Sequence, residues 1–376
     1  MQTNTMSIDR LMDIRVILPG LLLILWVIRL ILVSSYRRLK PTTKGSNPTQ
    51  PGITLLVYAC NDADNIRENL RYMLDQDYPN FDVVVVNDGS TDETNIELKR
   101  LESQYNNLYH TYLPEEAKTL VRRKLAMIVG LKAVRKEWVI LTTANTRPDS
   151  QHWLSAMAQE MTPEREIVLG YSGIESKEGG GAWFKQQNLR QQMRYLSYAQ
   201  RNRAYMGVGN NLAIRHSALT TNVMSGTLNL NAGEDDITVN RLATKTNSAV
   251  STLPESYVRV IFDDISQGWY ERVIKYNITR RYYKHRSYRF WWLESASHLM
   301  TLLLLMLAIY NYTTTGDWIT LTASLAITLI GAVSTIILTR KIVRLLEPKS
   351  TIFSQIVSEL LLSIIDIRNS LTGRRG

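Results

Sequence analysis

Residues 83–94 read VVVVNDGSTDET, a run of valines that ends in a polar turn. An unbroken β-branched run is typical of a strand that is buried on both faces of a parallel sheet. Asp88 and Gly89 supply the turn, and Ser90 with Glu93 fits a capping box at the start of a helix. The stretch therefore predicts a strand, a turn and a helix in that order.

The same alternation continues on both sides of this stretch. Ile53–Ala59 is a predicted buried strand, and apolar residues at helical spacing from Ile66 to Leu74 predict a helix after it. The remaining predicted strands are Trp138–Thr143 and Ile167–Tyr171, and the remaining predicted helices are Thr94–Gln104 and Arg122–Val134. Because strands that alternate with helices form a mostly parallel sheet, we expect an α/β domain over residues 52–268. Ligands of such sheets bind beyond the carboxyl ends of the strands.

Apolar segments lie at both ends of the chain. Val16–Val33, Ala296–Tyr312 and Trp318–Thr339 are each about long enough to cross a bilayer. A cleaved signal peptide is the alternative interpretation of the first segment. Its stronger basic cluster follows the apolar run, however, and this order favours an uncleaved anchor. The sequence thus predicts three membrane spans around the α/β domain.

Lysine and arginine are distributed unevenly around these spans. Four lie within residues 37–44, seven within residues 272–289 and four within residues 340–349, whereas residues 313–317 have none. Segments rich in Lys and Arg stay in the cytoplasm by the positive-inside rule. We therefore expect residues 37–290 and the C-terminal tail in the cytoplasm.

Two further segments have the composition of membrane-surface segments. Residues 269–294 are basic and aromatic, which suits an anionic membrane surface, and because they abut a span we expect no nucleic-acid partner. Apolar residues from Ile352 to Ile365 recur on one helical face and predict an amphipathic interfacial helix. The expected organisation is an anchor at 1–36, a linker at 37–51, the α/β domain at 52–268, a juxtamembrane segment at 269–294, two membrane helices at 295–340 and the interfacial helix at 350–367.

Composition excludes several classes of protein. The 376 residues are 45% apolar and 21% charged, which is globular rather than disordered composition. Lys and Arg number 44 against 34 Asp and Glu, so the net charge is +10. The single cysteine, Cys60, excludes an intramolecular disulfide and a Cys-rich zinc site, and the five scattered histidines disfavour a histidine metal site.

An ordered series of stretches carries a resemblance to a known family. The series is residues 58–94, RRKLAMIVGLKAVRKEWVILTTANTRP at 122–148, GYSG at 170–173, YMGVGNNLAIRHSAL at 205–219 and AGEDDITVN at 232–240. Together the stretches resemble membrane-bound bacterial members of the family 2 glycosyltransferases, which share the GT-A fold, over about residues 53–300. A DGS turn alone also fits a plain strand–turn–helix junction, but the ordered series is specific.

The resemblance implies a binding site for a nucleotide-sugar donor. Asp88 matches the aspartate that recognises the nucleotide base, and Tyr58 and Asn61 lie in the loop that lines its pocket. Lys124 matches a basic residue that precedes the metal motif, and two interpretations stay open for it: a side chain that faces the phosphates, or a solvated lysine at a helix start. The donor is therefore expected to bind beyond the first two strands of the sheet.

The resemblance also implies a catalytic base and an acceptor side. Glu234, Asp235 and Asp236 match the acidic motif that supplies the base, and Asp235 is the first choice. Inverting transfer needs such a carboxylate to take the proton of the acceptor hydroxyl. A helix N-terminal carboxylate is the alternative, but it explains three acids in a row poorly. The implied acceptor-side residues are Gly207, Gly209, Asn210 and Asn211 of a GxGxN-like loop, and Arg272 and Lys275, which with Tyr276 occupy the place of a Q-x-x-R-W-like motif that is not intact.

One family motif is lost in this sequence. In the family a D-x-D motif holds a divalent metal, Mg²⁺ or Mn²⁺, which neutralises the leaving nucleoside diphosphate. The aligned residues here are Thr143, Ala144 and Asn145, of which Asn145 keeps an oxygen as a weak ligand and Thr143 brings no charge. We expect weak or absent metal dependence, with fixed cations in the place of the ion. The candidate cations are Lys124 first, and then Lys118, Arg122 and Arg123.

These implications combine into one expected function and one alternative. The expected protein is an inverting glycosyltransferase that uses a nucleotide-diphospho-sugar, UDP-linked by preference, at the cytoplasmic face of the bacterial inner membrane. Its expected acceptor is a lipid-linked or cell-envelope glycan. The alternative is a pseudoenzyme that keeps the fold and serves as a binding or scaffold subunit, which the loss of both D-x-D carboxylates favours.

Overall fold

The computed structural model describes residues 14–42, 50–114, 122–219, 230, 232–284, 289–352 and 354–356. The chain divides into two compact units. The helical unit comprises residues 1–38, 287–344 and 348–375, and the α/β unit comprises residues 39–286, 345–347 and 376. Lys118 and most of the predicted interfacial helix lie outside the described residues.

Ten strands and ten helices have the following bounds within the described part of the chain. The strands are β1 Ile53–Ala59, β2 Phe81–Asp88, β3 Leu108–Leu113, β4 Trp138–Thr143, β5 Thr146–Pro148, β6 Ile167–Gly170, β7 Ser172–Ser176, β8 Leu212–Arg215, β9 Ser248–Ser251 and β10 Val258–Phe262. The helices are α1 Ile14–Ser34, α2 Ala63–Leu74, α3 Thr94–Glu102, α4 Arg122–Ala133, α5 Trp153–Ala158, α6 Ala182–Ala199, α7 Asp236–Leu242, α8 Ile265–Thr279, α9 Arg289–Thr315 and α10 Trp318–Leu346.

The α/β unit is built on a seven-stranded sheet of order β3-β2-β1-β4-β8-β6-β9. Strand β8 runs antiparallel to both of its neighbours, and the other pairs are parallel. A second sheet of three strands has the order β5-β10-β7. The α/β class and the mostly parallel sheet are as the sequence predicts.

The register of the central strands brings their carboxyl ends to one edge. In the register of β1, Tyr58 stands opposite Val86 of β2 and Thr143 of β4. The chain then continues from β2 through Asp88 into the DGS turn. The side chains that follow these strands are thereby collected at a single edge of the sheet.

Close packing of helix α4 on the sheet depends on one glycine. A methyl group at Gly130 would collide with the side chains of Leu56 and Val86, both of which are buried between the helix and the sheet. The helix therefore lies directly on β1 and β2. Its N-terminal residues reach the carboxyl edge of these strands.

The loop between β2 and α3 differs from the predicted capping box. The cap residue is Glu93, whose side chain makes no capping hydrogen bond. Instead of capping, Ser90 accepts a hydrogen bond of 2.9 Å from the backbone N–H of Asn61. The capping-box prediction is wrong because the Ser90 hydroxyl joins the loop after β1 to the loop after β2.

Helix α8 belongs to the α/β unit. Trp269, Val273 and Tyr276 are buried in it, and Trp269 packs in a cluster with Ile174 and Val260 of the three-stranded sheet. The membrane-surface position of residues 269–294 stays a prediction, and α8 supplies buried aromatic residues to the α/β unit. Its aromatic residues face a protein core, and its basic residues have a separate role described below.

Among the described residues of the helical unit, three helices are long and apolar enough to cross a membrane, at residues 14–38, 293–315 and 318–346. They contain the three predicted apolar segments and extend beyond them. Trp26 of α1 packs against Gly331 of α10, where a side chain would collide with the indole ring. Tyr36 donates a hydrogen bond of 2.9 Å to the buried carboxylate of Glu294.

Candidate active site

A cleft of about 750 Å³ opens at the carboxyl edge of β1, β2 and β4. Tyr58, Asp88 and Thr143 line it from the sheet, and Asp235 lines it from the turn before α7. Helix α8 closes the opposite side through a series of polar and aromatic side chains. Sites in this position are typical of parallel α/β sheets.

Asp88 anchors the wall of the cleft that the first two strands form. Its side chain is only 2% exposed, and the Tyr58 hydroxyl donates a hydrogen bond of 2.7 Å to its Oδ2. The guanidinium of Arg122 lies 2.8 Å from its Oδ1. Burial, reinforced by the adjacent Asp88 carboxylate, raises the pKa of Tyr58 well above its usual range, so this hydroxyl stays a donor.

Asn61 supports this wall from outside the cleft. It has a positive φ of 52°, a conformation that asparagine tolerates better than most residues. Its Oδ1 accepts a hydrogen bond of 2.8 Å from the backbone N–H of Thr91. Asn61 thus fixes the loop after β1 to the loop after β2, in which Asp88 lies.

Asp235 faces the cleft and is held by hydrogen bonds on both carboxylate oxygens. Its Oδ2 accepts from the Gly209 N–H over 2.9 Å and from the Tyr276 hydroxyl over 3.1 Å. Its Oδ1 accepts from the Asp236 N–H over 2.8 Å, and the Lys275 ammonium lies 3.0 Å from the same oxygen. Burial alone would raise the pKa of Asp235, but Lys275 and the two backbone N–H groups hold it well below its usual range.

The other two acids of the motif point away from the main cleft. Asp236 is fully buried, and its Oδ2 accepts hydrogen bonds from the hydroxyls of Thr279 and Tyr283. Burial first, and the neighbouring Asp235 charge second, raise the pKa of Asp236. Glu234 borders a smaller adjoining cavity, and its Oε1 lies 2.7 Å from Lys275 Nζ.

The predicted acceptor-side loop contributes two residues to the cleft. Gly209 and Asn210 line it, and a Cβ at position 209 would lie 3.1 Å from the Cβ of Asp235, a tight contact. Asn211 is buried behind the loop, where its amide donates to the carbonyls of Tyr171 and Ser256. Gly207, likewise behind the cleft wall, allows close packing against the core.

A chain of hydrogen bonds runs through Thr143 and Asn145, the residues that the sequence aligns with the D-x-D motif. The Arg272 guanidinium donates to Asn210 Oδ1 over 3.1 Å, and Asn210 Nδ2 donates to Thr143 Oγ1 over 2.7 Å. Thr143 donates in turn to Asn145 Oδ1 over 2.7 Å, and the Asn145 amide donates to the Ile261 carbonyl over 3.0 Å. We call these residues, from Arg272 to Asn145, the amide ladder.

This donor set does not fit a divalent ion. Mg²⁺ and Mn²⁺ need several oxygen ligands and favour carboxylates, whereas Thr143 and Asn145 are neutral and bonded to each other. Asp235, a carboxylate of the same cleft, is already held by Lys275 and Tyr276. In the described part of the chain, no three His, Cys, Asp or Glu side chains are grouped as metal ligands.

The cations of the cleft are not those that the sequence placed first. Lys124 is 1% exposed and does not line the cleft. Its burial lowers its pKa to about 8. Arg122, Arg123, Arg272 and Lys275 line the cleft instead. Arg123 also lies over the Tyr58 ring, with 4.7 Å between its Cζ and the ring centroid.

Comparisons with known proteins agree with this architecture. Residues 54–221 match the family model described as Glycosyl transferase family 2. The mannosyltransferase PcManGT from Pyrobaculum calidifontis, solved with GDP-Man and Mn²⁺, superposes with a TM-score of 0.50 and 16% identity, over 93% of this chain and 99% of that chain. TarS 1-349 from S. aureus, solved with UDP-GlcNAc, gives a TM-score of 0.42 and 14% identity, over 84% of this chain and 92% of that chain. A comparison with curated protein sequences finds no match.

Proposed function

We propose that this chain transfers a sugar from a nucleoside diphosphate to a hydroxyl acceptor with inversion. The basis is the match of residues 54–221 to glycosyl transferase family 2, together with the GT-A fold. One observation carries the proposal. The carboxylates of Asp88 and Asp235 line the same cleft at the carboxyl edge of the sheet, together with Arg272 and Lys275. A donor-binding carboxylate, a base and cations for a leaving group are therefore available to one bound substrate.

The proposed reaction is a single displacement at the anomeric carbon. The Asp235 carboxylate takes the proton of the acceptor hydroxyl, and the acceptor oxygen forms a bond to the anomeric carbon. The bond from that carbon to the β-phosphate oxygen breaks, and its electron pair leaves with the nucleoside diphosphate. Cations that line the cleft stabilise the charge that develops on the phosphate.

Asp235 is the preferred base because it is the acid of the motif that borders the main cleft. Its Lys275 partner holds it as a carboxylate in the absence of substrate. A bound diphosphate competes for the same ammonium by charge attraction. When Lys275 turns to the diphosphate, the proton affinity of Asp235 rises, as a general base requires.

Two further features support a membrane-bound acceptor and a cytosolic donor. Three helices long enough to cross a bilayer favour a membrane-bound acceptor, which we propose is a lipid-linked or cell-envelope glycan. The Lys and Arg distribution favours an α/β unit in the cytoplasm, on the inner membrane of a bacterium, where nucleotide sugars are made. A UDP-linked sugar is the proposed donor, with Tyr58 and Asp88 at the base.

A second candidate function is favoured by the neutral side chains of Thr143 and Asn145. If the loss of the D-x-D carboxylates had abolished chemistry, the domain would serve as a scaffold or binding subunit. The intact set of Asp88, Asp235 and the cleft cations favours the enzyme. Activity of the purified chain distinguishes the two candidates.

The test is hydrolysis of nucleotide sugars by the full chain purified in detergent, with water as the acceptor. We expect release of the nucleoside diphosphate from at least one common donor. Asp235→Asn keeps the shape of the side chain but removes the base, so the rate should fall by roughly 100-fold or more. Glu178→Gln, at an exposed position, is the matched control.

Two results would contradict the proposal. Full activity of Asp235→Asn, with loss of activity in Asp236→Asn or Glu234→Gln, would move the base to another acid of the motif. No hydrolysis of any donor, together with no binding of UDP or GDP, would favour the scaffold. The first result would mean that the wrong acid was assigned as the base. The second would mean that the proposed activity itself is wrong.

A further inference from the structure

The amide ladder leaves the oxygens at the D-x-D position already engaged. Thr143 Oγ1 accepts from Asn210, donates to Asn145 and lies 2.9 Å from the hydroxyl of Thr146. A hydroxyl has one donor and two acceptor sites, so Thr143 is saturated. A metal ion at this position would have to displace hydrogen bonds and would gain no negative charge.

Arg272 is the charged end of this ladder. Its Nη1 donates to Asn188 over 2.9 Å and its Nη2 to Asn210 over 3.1 Å. Both asparagines are buried, and Asn188 is fixed by its own hydrogen bond to the Ser172 carbonyl. The guanidinium is therefore held in place before any ligand binds.

The remaining cations of the cleft have carboxylate partners. Arg122 is paired with Asp88, Arg123 with Glu234 and Lys275 with both Asp235 and Glu234. Arg272 differs because no carboxylate among the described residues lies within ion-pair distance of it. A diphosphate can bind Arg272 without breaking an existing ion pair.

The hydrogen-bonding capacity of Arg272 is also only partly used. A guanidinium has five N–H donors in a planar fork that matches phosphate oxygens. Two of its nitrogens donate to the asparagine side chains, and its Cζ lies 5.7 Å from the centroid of the Phe262 ring. The half-buried head still lines the cleft, so N–H groups remain to face a ligand.

We propose that the Arg272 guanidinium, held by Asn188 and Asn210, binds the diphosphate of the donor in the place of a divalent ion, so that nucleotide binding is independent of metal. This inference rests on the proposed function, since it concerns the same cleft. It assigns to Arg272 a role on the donor side of the site. Lys275 adds a second positive charge when it turns from Asp235 to the diphosphate.

Calorimetric titration of the full chain with UDP and with GDP tests the proposal. In EDTA and in Mn²⁺, the wild-type protein should bind its preferred nucleotide with the same affinity. Arg272→Gln should weaken binding in EDTA by about 10-fold or more, because a charge-assisted phosphate contact is lost. Arg272→Lys keeps the positive charge but lacks the planar guanidinium fork. Its nucleotide affinity in EDTA should lie between that of the wild type and that of Arg272→Gln.

Two controls keep a folding defect apart from a loss of binding. Arg281→Gln changes an exposed arginine and should bind as the wild type does. In the Arg272→Gln background, Thr143→Asp with Asn145→Asp replaces two neutral side chains of the ladder by carboxylates. This triple variant should bind Mn²⁺, as measured by electron paramagnetic resonance, and its nucleotide binding should require Mn²⁺.

The possible results separate the inference from the proposed function. Nucleotide binding by the wild type that appears only with Mn²⁺ would overturn the inference and leave the proposed function intact. Equal nucleotide affinity of Arg272→Gln and the wild type in EDTA would also overturn the inference and leave the proposed function intact. Absence of binding to UDP and GDP in every condition would overturn the proposed function together with the inference.

Discussion

At the residue scale, Lys124 shows how burial changes the role of a charged side chain. Its side chain is buried, and burial lowers its pKa to about 8 from an ordinary value of 10.5. Between these two pH values the unfolded chain binds a proton that the folded chain has lost. Folding stability therefore rises with pH across this window and is lowest below about pH 8.

Lys124→Met removes this dependence because methionine does not titrate. We expect the difference in melting temperature, wild type minus Lys124→Met, to increase as the pH is raised from about 7.5 to about 10. Thermal unfolding of both proteins in one detergent measures it. Lys132→Met, at an exposed position of the same helix, is the control and should show no such trend. A difference that stays constant with pH would contradict the burial of a charged Lys124.

The sequence located single residues of the site better than it assigned their roles. Asp88 and Asp235 were identified through the resemblance and line the cleft. Lys124 was placed toward the phosphates, but successive residues of a helix point about 100° apart, so three consecutive cations cannot share one direction. Its neighbours Arg122 and Arg123 face the cleft instead. The ladder that ends on Arg272 joins residues far apart in the chain, and no local pattern predicts it.

At the scale of elements, helix α4 connects the packing of the core with the chemistry of the cleft. It lies on β1 and β2 through Gly130 and carries Arg122 and Arg123 at its first turn. A larger residue at position 130 would push the helix away from the sheet. The same displacement would move both guanidinium groups from their carboxylate partners.

Gly130→Val tests this connection. We expect it to destabilise the protein by about 1–3 kcal/mol through overpacking and to weaken nucleotide binding as well. Thermal unfolding and calorimetric titration give the two results. Gly20→Val is the matched control, since a side chain at this helical glycine meets no atom within 4 Å. Stability of Gly130→Val equal to that of the wild type would show that the helix does not depend on the glycine.

The elements that the sequence predicted best are those with a continuous buried pattern. β1 and β4 have the predicted bounds, because both are mostly apolar and buried in the centre of the sheet. α8 was assigned to the membrane surface because its basic and aromatic residues resemble an interfacial segment. In the fold its aromatic face packs on the three-stranded sheet and its basic face lines the cleft, a division that depends on tertiary contacts.

At the scale of the whole molecule, the GT-A fold inferred from the sequence is confirmed, and residues 54–221 match the model of the inferred family. The orientation in the membrane remains a prediction. It follows from the Lys and Arg residues around the three apolar helices and from the lack of either in the loop between α9 and α10.

Reporter fusions test this orientation. Fusions at Lys44 and Lys349 should report the cytoplasm, and a fusion at Gly316, between α9 and α10, should report the outside. The three positions serve as controls for one another. The reporter signal must reverse between Lys44 and Gly316, which α9 separates, and again between Gly316 and Lys349, which α10 separates. A periplasmic signal at Lys44 would contradict both the orientation and the access of the cleft to cytosolic nucleotide sugars.

The amide ladder has a consequence for how such a protein would respond to its surroundings. A guanidinium is synthesised with the chain, at fixed stoichiometry, and neither a chelator nor a competing ion removes it. The rate would then follow the supply of nucleotide sugar and acceptor and would be insensitive to manganese starvation or to changes in cellular magnesium. The spent nucleotide would also depart as a free anion, without first exchanging a bound ion.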